Sequence, residues 1–177
     1  MTRVTGVTMP PLVHVLENLR PADQEEMEAV HGSRYSVPVL ADVIYRLTAQ
    51  SSGWLFWDDG PVAALGAYAM TPTCAGVWAF GTPGWPRAVL RMTKHVRRTM
   101  VPMLLGAGFH RAECRALFKR SDTKRWLTAL GAEPEAVLSE FGARREDFIL
   151  FAWHSDEQAN HPSRPERRSH LPLRNGG

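Results

Sequence analysis

Cysteine is scarce in this chain: Cys74 and Cys114 are the only two, too few and too isolated for a disulfide framework or a cysteine-held metal site. The seven histidines (His14, His31, His95, His110, His154, His161 and His170) follow no ligand spacing, so no metal is expected. No apolar run approaches the ~20 residues that span a bilayer. The opening MTRVTGVTMPPLV has no basic stretch ahead of an apolar core, so no secretory leader is expected either. No internal repeat is present. These absences point to a reducing, cytosolic setting.

What is there is ordinary for one globular unit. With 177 residues, 44% of them hydrophobic and 22% charged, the chain is long enough to bury a real core. A single domain is expected over 1–153. A polar, Pro/Arg-rich flexible arm is expected over 154–177, where almost no large apolar residue is left to bury. A net charge of +3 and a pI near 9.2 permit an acidic partner without demanding one.

The alternating LVHVL at 12–16 predicts a first strand. Pro21 with Asp23, Glu25 and Glu26 predicts an acidic helix over 21–32, its carboxylates near the positive end. A second helix is predicted over 38–49, with Val39, Val43, Leu47, Leu40 and Ile44 on its apolar stripe. Segments 54–57 and 62–70 read as a hairpin about Asp58-Asp59-Gly60, and 76–82 as the next strand. Pro86 opens a long helix whose Val89, Met92, Val96, Met100 and Met103 face the sheet. Pro102 should bend or loosen its last turn, and Gly106 and Gly108 end it. Ala112, Cys114 and Ala116 alternate with Arg111, Glu113 and Arg115 in a strand. Ser121 should cap a short helix with Trp126, Leu127 and Leu130 on its apolar face and Gly131 as its stop. Strands at 136–141 and 147–153 follow.

The order over 76–153, with the run Arg125-Trp126-Leu127-Thr128-Ala129-Leu130-Gly131-Ala132, resembles the C-terminal half of the GNAT (Gcn-related N-acetyltransferase-like) fold. More narrowly, Trp78 ahead of the long helix, the basic content of that helix and the 125–132 run are similar to the GNAT-like internal virion proteins of short-tailed bacteriophages. The resemblance implies an α/β fold: a mixed, mostly antiparallel sheet of six or seven strands with helices on both faces. In that family acetyl-CoA lies in a V between two splayed parallel strands. Its pyrophosphate rests on backbone N–H groups of an Arg/Gln-x-x-Gly-x-Gly/Ala loop at a helix start. Here that place falls near 85–89, where only Gly84 is glycine nearby and Pro86 has no N–H. The tyrosine with which many members protonate the leaving thiolate is matched by Leu127, which transfers no proton.

The function expected from this resemblance is a phage-encoded, catalytically degenerate virion or assembly protein. It would need no cofactor and act through contacts with other virion proteins or further copies of itself, in the virion or the host cytoplasm. The alternative is an active acetyl-CoA-dependent N-acyltransferase. Main-chain groups of Val77, Trp78 and Phe80 would then hold the cofactor, Arg87 and Arg91 would steady its phosphates, and Glu113 would be the candidate base. Glu113's alternation with Arg111 and Arg115 fits a solvated face as well. Cys114, between two alanines, reads as core rather than as a nucleophile. Arg87, Arg91, Lys94 and Arg98 share one helix face, beside His95 and Arg97. They read as a solvated face or as a site for an anion, CoA phosphates or an acidic protein surface. No aromatics interleave with them, so nucleic acid is disfavoured. Trp85 reads as an exposed loop residue anchoring a protein contact, or as a plug in the cleft. Arg164, Arg167, Arg168 and Arg174 read as a docking arm or a solubilising one.

Overall fold

The computed structural model describes residues 3–49 and 52–155. Seven strands form one sheet in the order β1-β2-β3-β4-β5-β7-β6. β1 (Arg3–Gly6), β2 (Ser52–Trp57), β3 (Pro61–Ala69) and β4 (Cys74–Gly81) are antiparallel neighbours. β5 (Arg111–Leu117) joins β4 in parallel, and β7 (Phe148–His154) and β6 (Glu133–Leu138) follow antiparallel. α1 (Met9–Glu17), α2 (Pro21–His31) and α3 (Val37–Ala49) cover one face. α4 (Trp85–His95), a π-helical turn (Val96–Met100), α5 (Val101–Gly106) and α6 (Ser121–Ala129) cover the other. The mixed, mostly antiparallel α/β sheet expected from the sequence is the architecture found.

β3 is the spine of both layers. Ala63, Leu65 and Ala67 pack against Met92, Val96 and Met100 of the long helix, and Ala64 packs under α1 with Leu12, Val15 and Leu16. Strands covered on both sides read as near-continuous apolar runs, which is why residues 62–67 are buried without a break. Gly66 makes room for a neighbour: a Cβ there would lie 2.6 Å from the Trp78 ring and 2.7 Å from the Ser52 carbonyl. Among the described residues, no helix is long and apolar enough to cross a membrane.

Three local expectations are corrected. Residues 12–16 are helix, not strand: prolines fill the first turn of α1, where a missing N–H leaves nothing unpaired. Leu12, Val15 and Leu16, at i, i+3 and i+4, are all buried. Five residues of alternation satisfy either period, and burial decided for the helical one. On α3 the expected stripe splits: Leu40 and Ile44 pack inward, whereas Val39, Val43 and Leu47 turn outward, 63, 47 and 41% exposed. Ala41 and Thr48 complete the buried face beside Ile44, the small Ala41 packing with Leu12, Val15 and Leu16 of α1. Ser121 is the first residue of α6 and caps nothing; the cap position is Arg120, whose side chain makes no cap bond.

The long helix keeps its predicted inner face, with Met92, Val96 and Met100 buried. Pro102 cannot donate to the carbonyl four residues back. The helix answers by opening into a π turn just before it, the Val101 N–H donating to the Val96 carbonyl. His95, at the last turn of α4, packs edge-on against Trp54 and Phe56 with ring centroids 4.6 and 5.6 Å away.

Burial holds the His95 imidazole below its ordinary pKa. A lowered folded pKa means its contribution to stability is complete above about pH 6.5 and is lost as pH falls through the folded value. His95→Leu should flatten that part of the acid-side decline, and urea midpoints at about pH 7.5 and 5.5 measure it.

Candidate functional site

β4 and β5 pair only through Cys74↔Arg111, Ala75↔Ala112 and Gly76↔Glu113. Beyond these three positions the strands diverge, β4 staying with β3 and β5 with β7. The gap opens into a cavity of about 730 Å³, walled by Val77, Trp78 and Phe80 of β4, Cys114 of β5, and Trp126 and Leu127 of α6. Trp78 stacks on Phe80, centroids 5.4 Å apart.

α2 closes the open end of this V. The Gly81 N–H, at the end of β4, donates to Asp23 Oδ2 at 2.8 Å. The Leu117 N–H, at the end of β5, donates to Glu26 Oε2 at 3.3 Å. Arg120, 7% exposed, binds both carboxylates through Nη1, at 2.8 Å from Asp23 and 3.1 Å from Glu26, and Asp122 through Nη2 at 3.2 Å. Arg20 adds a contact to Asp23 at 2.9 Å. Burial pushes the Glu26 carboxyl above its usual pKa, against the opposing pull of Arg120 and the Leu117 N–H. Burial acts the same way on Asp122, but its hydrogen bond to Arg120 and that charge outweigh it and leave the carboxyl below the ordinary value.

The start of α4 is equally occupied. The Thr82 N–H donates to the Val62 carbonyl, the Gly84 N–H to Thr82 Oγ1, the Trp85 N–H to the Thr82 carbonyl and the Arg87 N–H to the Gly84 carbonyl. Pro83 and Pro86 have no N–H to offer. From Thr82 to Arg87, every main-chain donor already has an acceptor within the chain. Trp85 is in the first turn of the helix, not in an exposed loop, and only 8% of it is exposed. Its indole lies against Gly81, where a Cβ would sit 2.3 Å from the ring. Trp126 meets it edge-on at 5.2 Å and the Arg20 guanidinium covers it at 4.2 Å. Trp126 Nε1 in turn donates to Thr93 Oγ1 at 3.0 Å, fastening α6 onto α4.

Of the residues singled out from the sequence, Val77, Trp78 and Phe80 wall the cavity. Arg87 does not: it reaches the other way to Asp58 at 2.5 Å. Arg91, Lys94 and Arg98 also lie outside the cavity wall. Glu113, the candidate base, is not among the residues that wall the cavity, though Arg111 and Arg115 beside it on the strand are, and it is gripped by Arg111 at 2.8 Å and Arg115 at 3.6 Å. Arg111 is clamped on its other side by Glu135 at 2.7 Å, which raises the guanidinium's pKa and lowers that of Glu135. Burial pushes the Cys114 thiol up to about 12, consistent with a core side chain rather than a nucleophile. Arg164, Arg167, Arg168 and Arg174 lie outside the described residues. The sequence reading missed Asp23, Glu26 and Arg120 as a unit. It took the two carboxylates only as helix-start charges, and no local pattern connects them to strand ends 58 and 91 residues away.

Replacing Arg120 by methionine leaves the buried Asp23 with Arg20 alone and the part-buried Glu26 with no cation. A loss of about 3–5 kcal/mol is expected at pH 7. The loss should shrink as pH falls, since the carboxyls then fold protonated, and urea titration at several pH values checks both the size and the sign.

No protein-family model matches this sequence, and no curated protein matches it. Solved structures do. The ribosomal-protein-S5-alanine acetyltransferase of Vibrio fischeri superposes with a TM-score of 0.65 at 13% identity, covering 88% of this chain and 94% of its own. The protein yncA of Salmonella typhimurium, solved with its cofactor acetyl-CoA, gives 0.65 at 8% identity over 93% and 98%. A GNAT-family protein of Chromobacterium violaceum ATCC 12472 gives 0.62 at 16% over 89% and 90%. Splayed β4 and β5, helices on both faces and near-complete mutual coverage together identify the fold of this chain as that of the GNAT acetyltransferases.

Proposed function

We propose that this chain is a catalytically degenerate acetyltransferase-like protein that acts by binding a protein partner rather than by acyl transfer. The observation that carries this reading is the engagement of every N–H from Thr82 to Arg87. A pyrophosphate held in the usual family manner needs several such groups free and a backbone it can approach. Here two prolines and a buried tryptophan take their place. The residues present do not fit that group. Support also comes from Leu127, a buried side chain without a transferable proton at the position the resemblance matches to the family's proton donor, and from the Trp85–Trp126–Thr93 contacts that fasten α6 to α4 beside the cavity.

The narrower expectation, a bacteriophage virion or assembly protein, rests on the 125–132 run, on Trp78 ahead of the long helix and on that helix's basic content. The similar structures reported above are acetyltransferase-fold proteins of cellular bacteria. Recovery of the chain from purified particles would support the narrower role, and its absence from particles and assembly intermediates would overturn it.

One observation favours the alternative, an acetyl-CoA-dependent N-acyltransferase: Glu26 is a cavity-wall carboxyl with a raised pKa, the property a general base needs. Calorimetric titration with acetyl-CoA separates the readings. Degeneracy predicts no heat at about millimolar cofactor. Micromolar binding, about −8 kcal/mol, weakened by Trp85→Arg but not by Glu26→Gln, would sink it.

A further inference from the structure

We infer that the outer face of α4, the π turn and α5 is a docking surface for an acidic segment of another protein with apolar side chains at its two ends. This rests on the binding role proposed above and names its partner's chemistry. No residue between Asp59 and Glu113 is acidic, whereas α4 and the π turn carry Arg87, Arg91, Lys94, Arg97 and Arg98. A solvated helix face ordinarily mixes both signs so that i,i+4 pairs form; this one has only cations. Arg87 is neutralised by Asp58, and Arg97 donates to the Ala129 carbonyl. Lys94 and Arg98 meet no carboxylate among the described residues.

The cations stand between exposed apolar side chains. Leu90, one turn before Lys94, is 76% exposed, and Val101 and Leu105 beyond Arg98, 36 and 49% exposed, stand where this face meets the rim of the cavity. From Leu90 to Leu105 the face runs about 22 Å at the helical rise, the length of a partner helix of about four turns. In the middle of the face Val96 and Met100, four residues apart, stay buried while Arg97, Arg98 and Thr99 between them are exposed. With Arg97 drawn to α6, the Arg98 guanidinium and the Lys94 ammonium are the charges this face presents.

The charge decides among occupants. A second copy would bring the same unbroken positive face. Segment 156–177 has four arginines against three acids and offers no neutralisation. A bilayer would need one continuous apolar band rather than two patches separated by cations. An acidic polypeptide with an apolar residue at each end matches both the sign and the spacing.

The test titrates the full-length protein into a labelled synthetic peptide of about 18 residues, glutamate-rich with leucines near both ends, at about 0.15 M salt. Saturable binding is expected. It should weaken about tenfold or more in Lys94→Glu with Arg98→Glu, and severalfold in Leu90→Asn, with unchanged circular dichroism and melting. Should the charge reversal disturb folding, Lys94→Gln with Arg98→Gln replaces it. Arg145→Glu, in the β6–β7 loop, should leave binding intact. No binding, equal binding of an all-glutamate peptide, or indifference to these variants overturns the inference. So does tighter capture by phosphatidylserine vesicles or duplex DNA through the same side chains. Acetyl-CoA reads the helix start and the peptide its outer face, so each proposal fails on its own experiment.

Discussion

Two carboxylates, one helical turn apart, hold the diverging strands at the end where main-chain pairing has stopped. Asp23 takes the last N–H of β4 and Glu26 the last N–H of β5, and Arg120 joins the two acids to each other. A buried ion cluster gains little over apolar packing in net stability. What it does here is satisfy donors that a widening sheet would otherwise leave unpaired away from water. The raised pKa of Glu26 records first the cost of taking its carboxylate out of water, with a smaller push from the neighbouring Asp23, against the pull of Arg120 and the Leu117 N–H.

At the same end of the sheet the chain supplies, from within, the acceptors for the main-chain donors at the start of α4. A glycine-rich helix start leaves N–H groups open for a ligand, whereas a folded chain without that ligand must supply acceptors itself. Thr82 does so twice, through its hydroxyl and its carbonyl. The Trp85 indole, laid on Gly81 and covered by Arg20, fills space next to the cavity with apolar surface. Prolines at 83 and 86 remove two donors outright. Each change is local and each leaves the packing of Ala88 and Met92 on the sheet undisturbed.

What was legible in the sequence were the features whose cause is nearby in the chain. The long helix is announced by Pro86 and by Met92, Val96 and Met100 at helical spacing, and the end of α6 by Gly131, which sits at φ +90. Segment 12–16 was misread because alternation and helical spacing coincide over five residues. The α3 stripe was legible in Leu40 and Ile44, but its other inward position is marked by a small residue, Ala41, rather than by the bulkier Val43. At the site, the β4 wall of Val77, Trp78 and Phe80 was readable from the strand order. Glu113 and Glu26 are alike by type, and only the folded arrangement puts Glu26 of α2 on the cavity wall while Glu113 is held by Arg111. The clasp of α2 on both strand ends is a contact between distant segments, and no local pattern encodes it.

Three residue pairs between β4 and β5 are the strand seam between two contiguous leaves, residues 3–81 and 111–154, and the Ala143 N–H adds a main-chain bond to the Ala29 carbonyl of α2. Each leaf closes its ladders within its own stretch of chain, β2, β3 and β4 through short hairpins and β1 by returning to β2 across the first three helices. A leaf that emerges first from the ribosome already holds all of its strands and carries, on α2, the side chains that will later grip the other. The molecule is in that sense a book bound along a short spine, with its latch built into the first cover.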